Sequence, residues 1–219
     1  MPAFPFRPRS PLCDTLAEER ASMWSHIAGA VLAVIGLVVM ILSSGNEARQ
    51  VVAASVFGGT LVLLYLSSSI YHAFSSPKLK ELFQIFDHAC IYLLIAGSYT
   101  PLTLVALRGA WGWTIFGIVW FLAVAGVVLK AVMRGKRETW WSTALYVVMG
   151  WLIVIAAGPL IRSLPLAGLL WLVAGGLGYT LGVIFFVWEK LPYNHAIWHG
   201  FVILGSACHV VATAGYILN

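Results

Sequence analysis

Two histidines near the C-terminus have a spacing that suits a shared metal ion. His195 and His199 are four positions apart, and residues i and i+4 project from one face of a helix with Cβ atoms about 6 Å apart. Two imidazole nitrogens at that distance are able to bind one cation. The alternative is a pair of interfacial histidines at the end of a helix.

His72 offers a third imidazole from a distant part of the sequence. Three histidines with one open position for water are typical of a catalytic zinc site, whereas four protein ligands are typical of a structural one. Ser68 lies one helical turn before His72, where its hydroxyl could bind a ligand or a substrate oxygen. The alternatives are a snorkelling histidine at a helix end and a serine that donates to its own backbone.

Of these residues, Asp87 has the highest free-energy cost in an apolar segment, because a buried carboxylate needs a compensating charge. A divalent cation would provide one. Zn²⁺ lowers the pKa of a bound water toward 7, and Asp87 could accept the proton of such a water. The alternative is a structural ion pair with a lysine or arginine.

Three further histidines are assigned supporting positions. His26 is expected beside the site, behind the direct ligands, and His88 is expected to serve helix packing. His209 follows His195 by 14 residues, which corresponds to about 21 Å along a helix. That distance excludes His209 from the same metal ion and favours a packed, hydrogen-bonded histidine.

The composition of the chain indicates that these residues lie on transmembrane helices. Of the 219 residues 61% are apolar and 10% are charged, whereas a soluble domain carries about a quarter charged residues. We predict an all-α membrane protein, a seven-transmembrane helix bundle, with a tail over 1–23 and a single domain over 24–219. Segments long enough to cross a bilayer lie at 24–43, 51–71, 83–105, 111–132, 140–160, 166–188 and 195–217.

The basic residues predict the orientation of the bundle. With alternating spans, ten lysines and arginines share a face with the N-terminus and three lie opposite, which predicts a cytoplasmic N-terminus and a C-terminus outside. His72, Asp87, His195 and His199 then all lie near the cytoplasmic face of the inner or plasma membrane. The basic residues are spread over short loops, which excludes nucleic acid as a partner. The three cysteines are expected to be free thiols.

These residues and their surroundings resemble the haemolysin III group of the progestin and adipoQ receptor family. The resemblance implies seven helices and a cytoplasmic N-terminus. It further implies zinc held by His72, His195 and His199, with Asp87 bonded to the metal water and Ser68 beside it. Ser22 stands where the family usually has Asn, which puts the hydrogen bonding there in doubt. The matching segments are Glu18-Glu19 with Ser25-His26, Ser68 to His72, Phe86 to Pro101, and His195 to His199 with Gly205-Ser206 and His209.

The resemblance leaves two classes of function open. The wider superfamily includes alkaline ceramidases, so one expectation is a zinc-dependent hydrolase of lipid amides, with a membrane lipid as substrate. The alternative is a non-catalytic membrane protein: a zinc-stabilised sensor, or a conduit that alters ion balance or causes cytolysis. The outer halves of the spans offer few polar residues, which counts against an ion channel. The sequence leaves the oligomeric state open.

Overall fold

The structure is a computed structural model, and it describes residue 13 and the ranges 15–45, 47–132 and 140–219. Within these ranges seven helices are long and apolar enough to cross a membrane, and no strand is present, which confirms the predicted fold class. We number them helix 1 to helix 7: Leu16–Ser43, Ala48–Ala73, Pro77–Leu107, Gly109–Val132, Trp141–Ser163, Leu166–Val187 and Asn194–Ile217.

Helix 1 begins eight residues before the predicted span. Thr15 caps it: the Thr15 hydroxyl accepts from the backbone N–H of Glu18, and the Glu18 carboxylate accepts from that of Thr15. Such a capping box satisfies two of the N–H groups that a helix start leaves unpaired. The predicted boundary between tail and bundle therefore lies inside a continuous helix.

Helix 3 also begins earlier than the predicted span. Pro77 occupies its first turn, where the fixed φ of proline suits a helix start and its missing N–H is not needed. Asp87 therefore lies ten residues into the helix, nearly three turns from its start, whereas the predicted span 83–105 placed it four residues from the start. The helix continues beyond Pro101 as a π-helical segment, Leu102–Leu107.

The turn before helix 7 is held by contacts with helices 6 and 1. The cap position of helix 7 is Tyr193, which has a left-handed backbone with φ 58°. The Asn194 side chain donates to the carbonyls of Phe185 and Phe186 at the end of helix 6. The Tyr193 N–H donates to the Glu18 carboxylate at 3.0 Å. Helix 1 therefore fixes the point at which helix 7 starts.

The helices pack mainly in chain order, and the bundle closes through contacts between helices 1 and 7. Helix 3 is the most buried, whereas helices 4, 5 and 6 are mostly exposed. Their outer surfaces carry large apolar side chains such as Phe121, Ile155 and Leu166. An apolar outer surface is expected of helices that face lipid rather than water. Cys13, Cys90 and Cys208 are free and buried.

Candidate metal centre

The structure brings the three predicted histidine ligands together. His72 lies in the last turn of helix 2, and His195 and His199 lie in the first two turns of helix 7. One ring nitrogen of each lies within 4.8 Å of the other two. All three side chains are buried. Helices 2 and 7, which are more than a hundred residues apart in the sequence, therefore meet in the fold at these histidines.

Hydrogen bonds at the far side of two rings fix which nitrogen is protonated. His72 Nδ1 lies 2.8 Å from a Glu19 carboxylate oxygen, and His199 Nδ1 lies 3.1 Å from the Ser22 carbonyl oxygen. Both oxygens only accept, so each Nδ1 carries the hydrogen and donates. The Nε2 atoms of His72 and His199 are then left with lone pairs, the form in which imidazole binds a metal.

The Nε2 atoms of all three histidines are buried, and none has a hydrogen-bond partner in the part of the chain that the structure describes. A buried polar atom without a partner costs about 1–3 kcal/mol, and at least two of these atoms, those of His72 and His199, are acceptors that lack a donor among the described residues. A cation between them would remove this cost. Three neutral imidazoles with room for a further ligand are a donor set that suits Zn²⁺.

Glu19 connects this cluster to a lysine. Its carboxylate accepts from His72 and lies 2.7 Å from the Lys80 ammonium of helix 3. A carboxylate behind a ligating histidine fixes the ring orientation and makes the imidazole a better ligand. Sequence reasoning gave Glu19 no role. The available signal was the spacing of Glu19, Ser22 and His26, which places them on one face of helix 1, and all three are buried.

A serine at position 22, where the resemblance led us to expect Asn, does not prevent a hydrogen bond to His199. His199 Nδ1 donates to the main-chain carbonyl of residue 22, which every amino acid supplies. The Ser25 hydroxyl lies 3.0 Å from the same nitrogen. The Ser22 side chain instead contacts Cys13 Sγ at 3.7 Å.

A second set of close ligand atoms comes from Cys13, Glu19 and His72. It shares His72 with the first set, and its Glu19 is already bonded to Lys80. Burial and the nearby Glu19 carboxylate raise the pKa of Cys13 to about 12. Because the thiolate is the metal ligand, a neutral Cys13 thiol favours the three-histidine set as the metal centre.

Ser68 differs from the serines on either side of it. Ser67 and Ser69 donate to backbone carbonyls one turn earlier, those of Leu64 and Tyr65. The Ser68 hydroxyl is fully buried and has no partner among the described residues. The usual bond of a mid-helix serine to its own backbone is therefore present at the neighbours and absent at Ser68.

A largely apolar cavity lies next to the histidine cluster. Asp87, His26 and His88 line it, and the His26 ring stacks on His199, whereas His72, His195 and His199 themselves are not among its lining residues. Asp87 is buried and does not belong to the set of three close nitrogens; its predicted role beside the metal ion stays a prediction. His88 lines the cavity, and its backbone carbonyl accepts from the Tyr146 hydroxyl.

The remaining histidines take two different positions. The His26 ring stacks on His199 with centroids 3.4 Å apart, and neither of its nitrogens has a partner in the described chain. The structure therefore places His26 against a predicted ligand, as expected. His209 bonds to the carbonyl of Leu172 at 3.3 Å. The expectation of a packed, hydrogen-bonded histidine outside the metal set is confirmed.

Comparisons with known proteins identify the family. Residues 15–210 match the model of the family described as haemolysin-III related. The chain is 46% identical to the Bacillus cereus protein named hemolysin-3, over 92% of each chain. It is 45% identical to the hemolysin-3 homolog of Bacillus subtilis (strain 168), over 88% of this chain and 91% of that one.

A more distant relative is human. The chain is 27% identical to the human monocyte to macrophage differentiation factor, over 93% of this chain and 86% of that protein. The seven apolar helices and the family match together indicate a multi-pass membrane protein. The chain belongs to the haemolysin-III related family.

Proposed function

We propose that the chain is a zinc-dependent hydrolase that acts on lipid amides within the membrane. The observation that carries the proposal is the cavity, because it brings an apolar space to Asp87 and to His26, whose ring stacks on the predicted ligand His199. A zinc ion that served only to brace helices would need no such space.

The residues around the cavity suit hydrolysis of an amide carbonyl. Zn²⁺ held by His72, His195 and His199 would supply a Lewis acid and lower the pKa of a water. The Asp87 carboxylate would take the proton of the attacking water and return it to the amine that leaves. Ser68 does not line the cavity but lies one helical turn before His72 on helix 2. Its hydroxyl, which has no partner among the described residues, would donate to the carbonyl oxygen as that oxygen gains negative charge.

The walls of the cavity favour a lipid as the molecule that is cleaved. Helix 3 contributes Ile91, Leu94 and Ile95, and helix 7 contributes Val202. Predominantly apolar walls with a small number of polar groups are typical of sites that bind a small-molecule ligand such as a lipid. An acyl chain that entered between helices would place its amide at Asp87.

The charge distribution supports a cytoplasmic position for the centre. His72 lies at the end of helix 2, and His195 lies at the start of helix 7. Both are at the end of the bundle at which helix 1 begins, because helix 1 contacts the cluster through Glu19 and Ser22. The bias of ten basic residues against three supports a cytoplasmic position for this end of the bundle.

One observation favours a non-catalytic sensor as the second candidate. Helices 1, 2 and 7 all contribute to the metal centre, through Glu19, His72 and His199. An ion there would lock three helices together, and its loss would release them. The two proposals differ in whether a bond of a lipid is cleaved.

Turnover by the zinc-loaded protein in lipid nanodiscs tests the proposal. We would incubate it with ceramides and other N-acyl amides and measure released fatty acid by mass spectrometry. We expect release that stops on chelation, returns with zinc, and is lost in Asp87→Asn although that variant keeps its zinc. No release from any substrate, or equal release by Asp87→Asn, would contradict the hydrolase and favour the sensor. Dye leakage from vesicles, run in parallel, would point to a conduit.

A further inference from the structure

The cavity continues from Asp87 and His26, beside the histidine cluster, to His209 in the opposite half of the bundle. Its lining runs from Asp87 to Tyr99 on helix 3 and from Trp198 to His209 on helix 7. At 1.5 Å per residue these stretches correspond to about 18 Å and about 17 Å. The cavity therefore extends over more than half of a hydrocarbon core of about 30 Å.

The single hydrogen bond of His209 fixes its tautomer. Its Nε2 lies 3.3 Å from the carbonyl oxygen of Leu172. A carbonyl only accepts, so Nε2 carries the hydrogen, and Nδ1 of the neutral ring is left with a lone pair. His209 therefore presents a hydrogen-bond acceptor at Nδ1.

The surroundings of the ring hold it in this orientation. A Cβ at Gly175 of helix 6 would overlap Cδ2 and Nε2 of His209, so glycine is needed for the ring to lie against that helix. The Tyr179 ring meets His209 at an interplanar angle of 86°. The Cδ2–Nε2 edge faces helix 6, and no bond to Nδ1 is present among the described residues.

The other polar groups along the outer part of the cavity already have partners. The Ser98 hydroxyl donates to the carbonyl of Ile95, and the Thr180 hydroxyl donates to Gly176 and accepts from Trp151. The Tyr179 hydroxyl is bonded to Ser206. Among the described polar residues in this part of the cavity, His209 is therefore the one whose acceptor atom, Nδ1, has no donor.

We propose that His209 binds a hydroxyl group near the far end of an acyl chain that occupies the cavity. A hydrogen-bond acceptor in an apolar site favours a ligand that carries a hydrogen-bond donor. A ligand without a donor would leave the acceptor atom of the protein buried and unpaired. The ligand class is an amphiphile with a polar head at the metal centre and a hydroxyl about 17 Å away. The inference rests on the proposed function only in placing an acyl chain in this cavity, and it requires no hydrolysis.

Equilibrium binding of fatty acids to the zinc-loaded full chain tests this assignment. The probes are ω-hydroxy fatty acids and the unsubstituted acids of the same lengths, each measured by displacement of a fluorescent fatty acid. We expect the ω-hydroxy acid to bind about tenfold more tightly at the chain length that spans the cavity, the value of one net hydrogen bond. His209→Phe should remove this preference, whereas His209→Gln, which keeps an acceptor, should retain part of it.

Val211→Ala provides the control, because Val211 lies two residues further along helix 7, is exposed and does not line the cavity. This variant should keep the full preference. Zinc content and apparent melting temperature verify that each variant is folded. Equal affinity of the two acids in the wild type, a preference that survives in His209→Phe, or failure of every acid to bind would overturn the assignment. A protein that binds selectively but releases no product would instead contradict only the hydrolase.

Discussion

Three adjacent serines in helix 2 have different hydrogen bonding, and this difference predicts which one matters for turnover. Ser68→Ala removes a hydroxyl that lacks a partner, whereas Ser69→Ala removes one that donates to Tyr65. Loss of a donor to a developing oxyanion lowers kcat by about 10²–10³-fold. We expect a loss of this order in Ser68→Ala with unchanged zinc content.

Ser69→Ala is the matched control and should stay within a few-fold of the wild type. Steady-state release of fatty acid measures both variants. Equal activities would remove Ser68 from the proposed chemistry and leave it as a helix-packing residue.

Glu19 should determine how tightly the metal is held. Glu19→Gln removes the charge that fixes His72 and pairs with Lys80, and changes behind a ligand typically weaken metal affinity about 10–100-fold. Competition with a chelator of known affinity measures the effect. The control is Glu47→Gln, since Glu47 is exposed, makes no side-chain cap and lies between helices 1 and 2. An unchanged zinc affinity in Glu19→Gln would contradict this role.

At the residue scale, the sequence predicts the meeting of the histidines better than it predicts the residues that hydrogen-bond to them. The i, i+4 spacing of His195 and His199 is readable from the chain, and the structure confirms that they meet His72. The bond between Glu19 and His72 joins residues 53 positions apart. No local pattern encodes such a pairing, because it depends on the rotation of helix 1 against helix 2.

At the element scale, the starts of the helices position the site. Hydropathy identifies the apolar part of a helix, whereas its ends are set by caps and turns, so the predicted starts of helices 1 and 3 were too late. Thr15 and Pro77 mark the true starts. Asp87 therefore lies deeper within helix 3 than the sequence suggested.

Tyr193 should be a strained residue at the start of helix 7. Its φ of 58° is a conformation that glycine adopts without a steric penalty. Tyr193→Gly keeps the N–H that donates to Glu18, so we expect an increase in stability of about 1 kcal/mol or less. A higher apparent melting temperature in detergent would show it.

Tyr193→Pro provides the opposite test at the same position. It removes that N–H and forces φ near −65°, so it should lower the melting temperature and the zinc content together. If Tyr193→Gly also destabilised the protein, the Tyr193 side chain rather than its backbone would be the important feature.

At the scale of the whole molecule, the bias in basic residues predicts the orientation. A C-terminal fusion to alkaline phosphatase, an enzyme that folds only after export, should be active in bacteria, because the C-terminus is expected outside. A fusion at the loop between helices 2 and 3, beside Lys78 and Lys80, should be inactive. The reverse pattern would place the metal centre on the outer side.

The whole-molecule property that sequence reasoning missed is the cavity. Helices 3, 5, 6 and 7 contribute most of its walls, and helices 1 and 2 add His26 and Leu64. Each of these helices was predicted as a span. The space between them depends on side-chain packing across six helices, which periodicity in a single helix does not specify. The predicted bundle was therefore correct while its interior was not foreseen.

Metal content tests the central claim most directly. Protein purified without added metal would be analysed by inductively coupled plasma mass spectrometry, beside His199→Ala and His209→Ala. His209 is a matched control because it is an imidazole on the same helix that lies outside the metal set. We predict about one zinc per chain in the wild type and in His209→Ala, and much less in His199→Ala. Absence of zinc from the wild type, or equal zinc in His199→Ala, would contradict the account.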